Sequence, residues 1–321
     1  MDPAILFSIV IPVKNGDQWL AGLLGKLAQQ TLTSRSEIIV IDSGSTDDSL
    51  EIIKRYPVRL IQIPPSEFNH GATRNLGVRA AKGEYVVMTV QDAVPVADDW
   101  LELLLGGFTT ENVVGVCGQQ VVPHDRDKNP VLWFRPVSGH RTWFCHFDNP
   151  DEFLKLAPTE QREMVAWDNV TAAYRRHFLL EHPFPAVDFA EDLSWARMIL
   201  LKGYTLGYVS GAMVFHYHHQ LPEFMLPRYF SVYYYEFRLF GLKPALRHSV
   251  LWNILVAGKV LFKESDLSWA AKLKWLVFNI RYWIVLRNVV NKFNLAADGG
   301  DERLDLAYRE ICKRPPQALK Y

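Results

Sequence analysis

Phe7-Ser8-Ile9-Val10-Ile11-Pro12-Val13 is a short apolar run that Pro12 and the Asn15-Gly16 turn should bring to a stop. Residues 19–30 then carry apolar side chains at helical spacing. Residues 37–41 form a second β-branched run, closing on the polar turn Asp42-Ser43-Gly44-Ser45-Thr46-Asp47. Thr46 or Asp47 suits the N-cap of a helix reaching Tyr56. Residues 58–63 read as a third strand, 72–81 as a helix and 84–90 as a fourth strand. Strands alternating with helices of this length mean βαβ units and a mostly parallel sheet covered on both faces. Ligands of such sheets bind beyond the carboxyl ends of the strands. That places the expected site at residues 13–15, 42–45, 64–75 and 91–95.

The 321 residues hold 35 Lys+Arg and 35 Asp+Glu, so no net field favours nucleic acid, and none is expected as a partner. A composition 49% apolar and 22% charged is that of a folded globule with a substantial core. Cys117, Cys145 and Cys312 are scattered without CxxC or zinc spacing and read as reduced thiols. No stretch reaches the roughly 18 apolar residues that span a bilayer. Met1-Asp2-Pro3 lacks the basic start of a signal peptide, so a cytoplasmic location is expected.

The chain changes character past residues 220–240. From Lys243 to Lys292 there are nine Lys/Arg against two acidic residues, Glu264 and Asp266. Residues 245–262 and 267–293 are predicted helices. In the second, Trp269, Leu273, Leu276, Ile280 and Trp283 recur every three or four positions, with Lys272, Lys274, Arg281, Arg287 and Lys292 among them. A basic, Trp-rich helix suits a membrane interface; it also suits an ordinary core-packing helix with a solvated basic face.

Nucleotide-binding GxxxxGK[ST] and GxGxxG loops are missing, as is GxSxG. Polar residues instead stand where strands end. Asp42 can accept from a base imide or a ribose hydroxyl, or simply cap the next helix. In Phe68-Asn69-His70-Gly71-Ala72-Thr73-Arg74-Asn75, Gly71 permits close backbone approach and Arg74 is placed to pair with a diphosphate, unless Asn69 is only a cap and Arg74 a surface cation. Asp92, in Gln91-Asp92-Ala93-Val94-Pro95, suits a hard divalent cation. Glu191-Asp192 opens a helix, as dipole-compensating charges or as a general base. His216-Tyr217-His218-His219 places His216 and His218 on one side of a strand, where one can complete a metal shell.

In this order the segments resemble the inverting family 2 glycosyltransferases, and most of all the bacterial rhamnosyltransferase-like branch that builds O-antigen and related surface polysaccharides. The resemblance spans residues 5–240. It implies the GT-A fold, an α/β, Rossmann-like, mostly parallel sheet flanked by helices, with a helical C-terminal extension. Residues 1–220 would form the glycosyltransferase domain, with a nucleotide-sugar half of about 1–110 and an acceptor half of 111–220; residues 221–321 would be the extension. Donor binding falls to Pro12, Val13, Asn15, Asp42, Gly44, His70, Gly71, Arg74, Gln91 and Asp92. Asp92 with His216 and His218 would hold Mg²⁺ or Mn²⁺. The acidic pair supplies the base, Asp192 before Glu191. One departure stands out: the first Asp of the usual DXD motif falls at Val90.

The implied reaction moves a sugar, rhamnose from dTDP-rhamnose by preference, to a hydroxyl of a polyprenyl-diphosphate-linked glycan at the inner face of the cytoplasmic membrane. Trp167-Asp168-Asn169 is expected to line the acceptor pocket, with Trp167 offering a flat face to a sugar, or else Trp167 is a buried core residue with a turn after it. The other readings are a UDP- or GDP-linked donor, a non-catalytic glycan- or membrane-binding scaffold on the same fold, and a nucleotidyltransferase. The last would need a longer Gly-rich loop than Val13-Lys14-Asn15-Gly16.

Overall fold

The computed structural model describes residues 4–125, 127–133, 139, 141–187, 189–217, 221–264 and 266–313. The chain divides into two units. The first takes the chain as far as Val121 and again from Arg141 to His216; the second takes residues 122–133 and the stretch from Tyr217 onward. The expected division near residue 220 therefore misses one feature: residues 122–133 return to the helical unit.

The first unit is built on one sheet of nine strands: β1 (Phe7–Val13), β2 (Ser36–Asp42), β3 (Val58–Gln62), β4 (Tyr85–Thr89), β5 (Ala93–Pro95), β6 (Val113–Val121), β7 (Thr142–Cys145), β8 (Thr171–Arg175) and β9 (Thr205–His216). Their order is β3-β2-β1-β4-β8-β6-β9-β5, with β7 also on β9. β1 to β4 pair in parallel, as the alternation of strands and helices requires. β6 and β9 are parallel too, whereas β8 runs antiparallel to β4 and β6, and β5 and β7 run antiparallel to β9. The second half of the sheet is thus mixed.

β1 lies at the centre of the parallel half and its residues 7–11 are buried. The strand does not stop at Pro12 as expected. Its pairing with β4 ends at Val10↔Met88, while pairing with β2 continues to Val13↔Asp42. Pro12 thus falls where one neighbour has already gone, and its missing N–H breaks no ladder on that side. The helix Asp17–Ala28 buries Leu20, Leu23, Leu24 and Leu27 against the sheet. That one stripe, at i, i+3, i+4 and i+7, is worth roughly 1.5–3 kcal/mol per side chain.

The second unit contains the helices Met225–Phe240, Val250–Lys259, Trp269–Asp298 and Asp301–Cys312, with a π-helical turn at Val260–Glu264. Ser249 and Ser268 cap two of them: their hydroxyls accept the N–H groups of Trp252 and Ala271. The helix Trp269–Asp298 buries Trp275, Asn279, Leu286, Val289, Val290, Phe293 and Ala296. This buried face differs from the stripe of Trp269, Leu273, Leu276, Ile280 and Trp283. Trp269 and Leu273 face outward. The cause is a polar pair that an apolar-periodicity reading passes over. Asn279 and Asn129, both buried, donate to each other's amide oxygens at 3.1 and 3.0 Å, and together they fix the inward face.

Candidate active site

Three loops meet beyond the carboxyl ends of β1, β2 and β4. Asn15, at φ 49°, turns the chain after β1; its N–H donates to the Ser45 hydroxyl, and its side-chain oxygen accepts from the Thr46 N–H. Gln91 grips the same turn from β4, accepting from Lys14 N–H at 2.8 Å and donating to the Lys14 carbonyl at 3.1 Å. Val13 is buried at the end of β1. Asp42 is fully buried, and its carboxylate accepts the N–H groups of Gly44 and Ser45. It therefore shapes its own loop and does not cap the next helix, whose N-cap position is Asp48. Gly44 is required twice over, by φ +84° and by Pro65 Cγ, only 2.6 Å from where a Cβ would stand. Asp47 does not cap as a helix N-cap, since the short helix Ser49–Ile53 has Asp48 in that place; its oxygens accept from Ser49 and Asp17 N–H instead.

The segment containing His70, Gly71 and Arg74 does something other than expected. Asn69 caps the helix His70–Ala80 by accepting the Ala72 N–H. A Cβ on Gly71 would lie 1.8 Å from the Pro185 carbonyl oxygen, so the close approach that Gly71 permits is to the chain's own backbone. Arg74 is not a free cation awaiting a diphosphate. Its Nη1 lies 2.9 Å from Glu191 Oε1, and the two side chains are only 6% and 5% exposed.

Glu191 and Asp192 open the helix Glu191–Leu201, entered through Ala190 at φ 59°. Glu191 also accepts from Asn169 Nδ2 at 3.0 Å. Asp192 Oδ2 accepts the Asn169 N–H at 3.1 Å, and Oδ1 accepts the Leu193 N–H at 2.7 Å. The paired carboxylates are driven apart in acidity. Burial and then the adjacent Glu191 anion push Asp192 up to about 7, against the opposing pull of Arg74. Burial acts to raise Glu191 too, but the Arg74 charge, His70 and the Asn169 hydrogen bond outweigh it and hold Glu191 below its ordinary value. Of two neighbouring carboxylates, one is thus held as an ion-paired anion and the other is shifted towards neutrality.

Of the expected acceptor trio, Asn169 joins this cluster and Asp168 remains partly exposed. Trp167 does not line an open pocket. It is 5% exposed, packs against Trp195 and Tyr208, and donates its indole N–H to the Tyr174 hydroxyl. Both its faces belong to an aromatic core, so no sugar can stack there.

Asp92 and His216 come together because β5 pairs with β9 at Ala93↔His216. His216 Nε2 stands 3.5 Å from Asp92 Oδ1, with the side chains 8% and 13% exposed. The other ring nitrogen, Nδ1, is held by Gln120 Oε1 at 2.7 Å. An oxygen and a nitrogen donor converging, with the imidazole oriented from behind, fit a divalent cation. Among the described residues no group of three His, Cys, Asp or Glu gathers as a metal shell, so this pair is what the described residues offer. His218 falls outside the described residues. Gln120 and Tyr174 carry no sequence signal that singles them out; each is an ordinary polar residue until the sheet order places it.

A family profile described as Glycosyl transferase family 2 matches residues 8–160. The O-antigen chain rhamnosyltransferase WbaN of Salmonella anatum is 32% identical over 237 residues, covering 70% of each chain. The O-antigen chain rhamnosyltransferase RfbN of Salmonella typhimurium is 30% identical over 230 residues, again 70% of each. Among solved structures, S. aureus TarS 1–349 aligns with a TM-score of 0.51 at 18% identity, over 95% of this chain and 81% of that one. Glucosyl-3-phosphoglycerate synthase from Mycobacterium tuberculosis, in complex with Mn²⁺, UDP and glucosyl-3-phosphoglycerate, aligns at 0.52 and 16% identity, over 75% and 81%. The structural likenesses are to GT-A glycosyltransferases and establish the fold.

Proposed function

Because the chain belongs to glycosyl transferase family 2, we propose that it transfers a sugar, with inversion, from a nucleoside-diphosphate donor to an acceptor hydroxyl, with Asp192 as the base. The observation that carries this reading is the split between Glu191 and Asp192. A base that works near neutral pH must be unprotonated there yet avid for a proton, and Asp192 at about 7 meets both conditions. Asp192 takes the proton of the acceptor hydroxyl as that oxygen attacks the anomeric carbon from the face opposite the leaving diphosphate. Inversion follows from that single displacement. The loop of Asn15, Ser45 and Gln91 is rigidly cross-braced, and such bracing suits the holding of a nucleotide.

Asp92 and His216 are the residues that would hold Mg²⁺ or Mn²⁺. Such an ion supplies positive charge to the departing diphosphate. With Val90 in place of a second carboxylate, the donor's own phosphate oxygens must complete the shell. The Mn²⁺ and UDP of the mycobacterial synthase structure support this reading.

The favoured donor is dTDP-rhamnose, and the favoured acceptor is a glycan on a polyprenyl diphosphate. Two O-antigen chain rhamnosyltransferases at about a third identity over 70% of the chain support that choice. The test is a panel of dTDP-, UDP- and GDP-sugars, read by nucleoside diphosphate release. dTDP-rhamnose should be turned over at least tenfold faster than the others; an equal or faster UDP- or GDP-sugar would replace it.

The second unit supports attachment to an anionic membrane face. No helix among the described residues is long and apolar enough to cross a bilayer. Yet Leu251, Trp252, Leu255, Phe262, Trp269, Leu273 and Val277 are exposed, Trp269 by 78%. Lys274 and Arg281 line an open groove of about 500 Å³ beside Leu273 and Val277. Apolar side chains rimmed by cations are what an anionic interface recognises, at about 1 kcal/mol per basic residue near the surface. We expect the protein to sediment with vesicles containing anionic lipid, less so at high salt, and Trp269→Glu/Leu273→Glu to stay in solution. Wild-type protein remaining in the supernatant at both salt concentrations would refute the attachment.

A further inference from the structure

Arg74 sits on the helix His70–Ala80, far along the chain from the acidic pair, yet its buried guanidinium is committed to Glu191. Nη1 also reaches the His70 carbonyl at 3.3 Å and His70 Nδ1 at 3.2 Å. From Glu191 the connection continues through Asn169, whose Nδ2 donates to Glu191 and whose N–H donates to Asp192. Asn169 is itself held: its Oδ1 accepts from the Tyr174 hydroxyl at 2.6 Å. Every member but Asp192 and His70 is buried.

A buried ion pair is a poor way to add stability, since desolvating both charges offsets most of their attraction. Its placement beside a second carboxylate is the informative feature. We propose that Arg74 is a positioning residue for Asp192: it fixes Glu191 as an anion, and the fixed Glu191 and Asn169 set where the Asp192 carboxylate stands and what charge it faces. Arg74 then has no share in binding the donor's phosphates. The proposal rests on reading Asp192 as the base only for its catalytic consequence, not for its geometry.

The electrostatics agree in sign. The groups facing Asp192 are Glu191 on its own helix, Arg74 on the helix His70–Ala80, Asp168 before β8, Cys117 on β6 and Tyr174 on β8; His70 acts on Glu191. After burial, Glu191 is the largest influence raising Asp192, and Arg74 opposes it. Neutralising Glu191 must therefore make Asp192 more acidic.

The test uses Glu191→Gln, which keeps the shape and the Asn169 acceptor but removes the charge. Arg74→Met/Glu191→Gln is the companion, because it leaves no unpaired buried charge and so guards against simple unfolding. Asp192 is followed by carboxyl ¹³C NMR titration, alongside the pH profile of kcat/KM and nucleoside diphosphate affinity. We expect the Asp192 midpoint to fall by one pH unit or more in Glu191→Gln and by less in the double variant, with nucleotide affinity within about threefold of wild type. Arg74→Lys, which keeps the charge, should leave the midpoint near its wild-type value. An unmoved Asp192 midpoint in both charge-removing variants overturns the proposal, as does a tenfold or greater loss of nucleotide affinity in the double variant. If the midpoint falls while the kcat/KM profile stays put, the positioning role stands and it is the base assignment that fails.

Discussion

Asp192→Asn is expected to lower kcat by about two to four orders of magnitude while nucleoside diphosphate binding stays close to wild type. Asn matches the carboxylate in size and retains one oxygen to accept from Asn169 or Leu193 N–H, so the helix start should survive. What disappears is the proton acceptor. Single-turnover transfer at saturating donor, with nucleotide binding by calorimetry, separates the two effects. Turnover within threefold of wild type would exclude Asp192 and make Glu191 the next candidate, although Arg74 already occupies it. The same carboxylate sets a stability signature. With its folded value raised to about 7, Asp192 stays protonated in the native state over a range where the unfolded chain has released that proton. Its favourable contribution is thus present at low pH and lost as pH rises through about 7. Asp192→Asn should melt higher than wild type at pH 8, and the gap should narrow as pH falls below about 7 and close only below about pH 4, where the unfolded carboxyl is protonated too.

Removing the proposed divalent cation or the Asp92 carboxylate should be nearly as damaging. Excess chelator, or Asp92→Ala, is expected to reduce turnover on the order of 10²–10³-fold, the usual effect of losing one charge-stabilising partner of a leaving group. Gln120→Ala removes neither proposed ligand of the cation, yet it frees the His216 ring that Gln120 orients at 2.7 Å. Losses of outer partners of this kind weaken metal affinity about 10–100-fold. Mn²⁺ binding followed by electron paramagnetic resonance should be weak without nucleotide and strong with it, because Asp92 and His216 supply only two donors. Full activity in excess chelator would contradict the metal reading and leave the leaving group to the protein's own cations and amides.

Much of the parallel half was legible from sequence because its cause is local. Ser8 to Val13 and residues 37–41 are β-branched runs, and the turn residues between them announce themselves. Pro12 misled because whether a proline ends a strand depends on where the neighbouring strand stops, and that is tertiary information. Arg74 and Glu191 were each singled out, but nothing in a sequence says that residues so far apart meet. The expected partner of Arg74 was therefore a ligand. Trp167 followed the same logic in reverse: an aromatic side chain beside polar residues suggests a sugar platform, and only the packing of Trp195 and Tyr208 around it shows a core residue. Along the long helix Asn279 counts as polar in a reading of apolar periodicity, although its partner Asn129 makes it an interior residue.

The most direct test of the account is the anomeric configuration of the product formed by the purified protein from dTDP-rhamnose and a polyprenyl-diphosphate-linked glycan. Base-assisted displacement at one face predicts release of dTDP and a new glycosidic bond of configuration opposite to the donor's, resolved by the anomeric coupling in the NMR spectrum. A product that keeps the donor's configuration would contradict the single-displacement role given to Asp192.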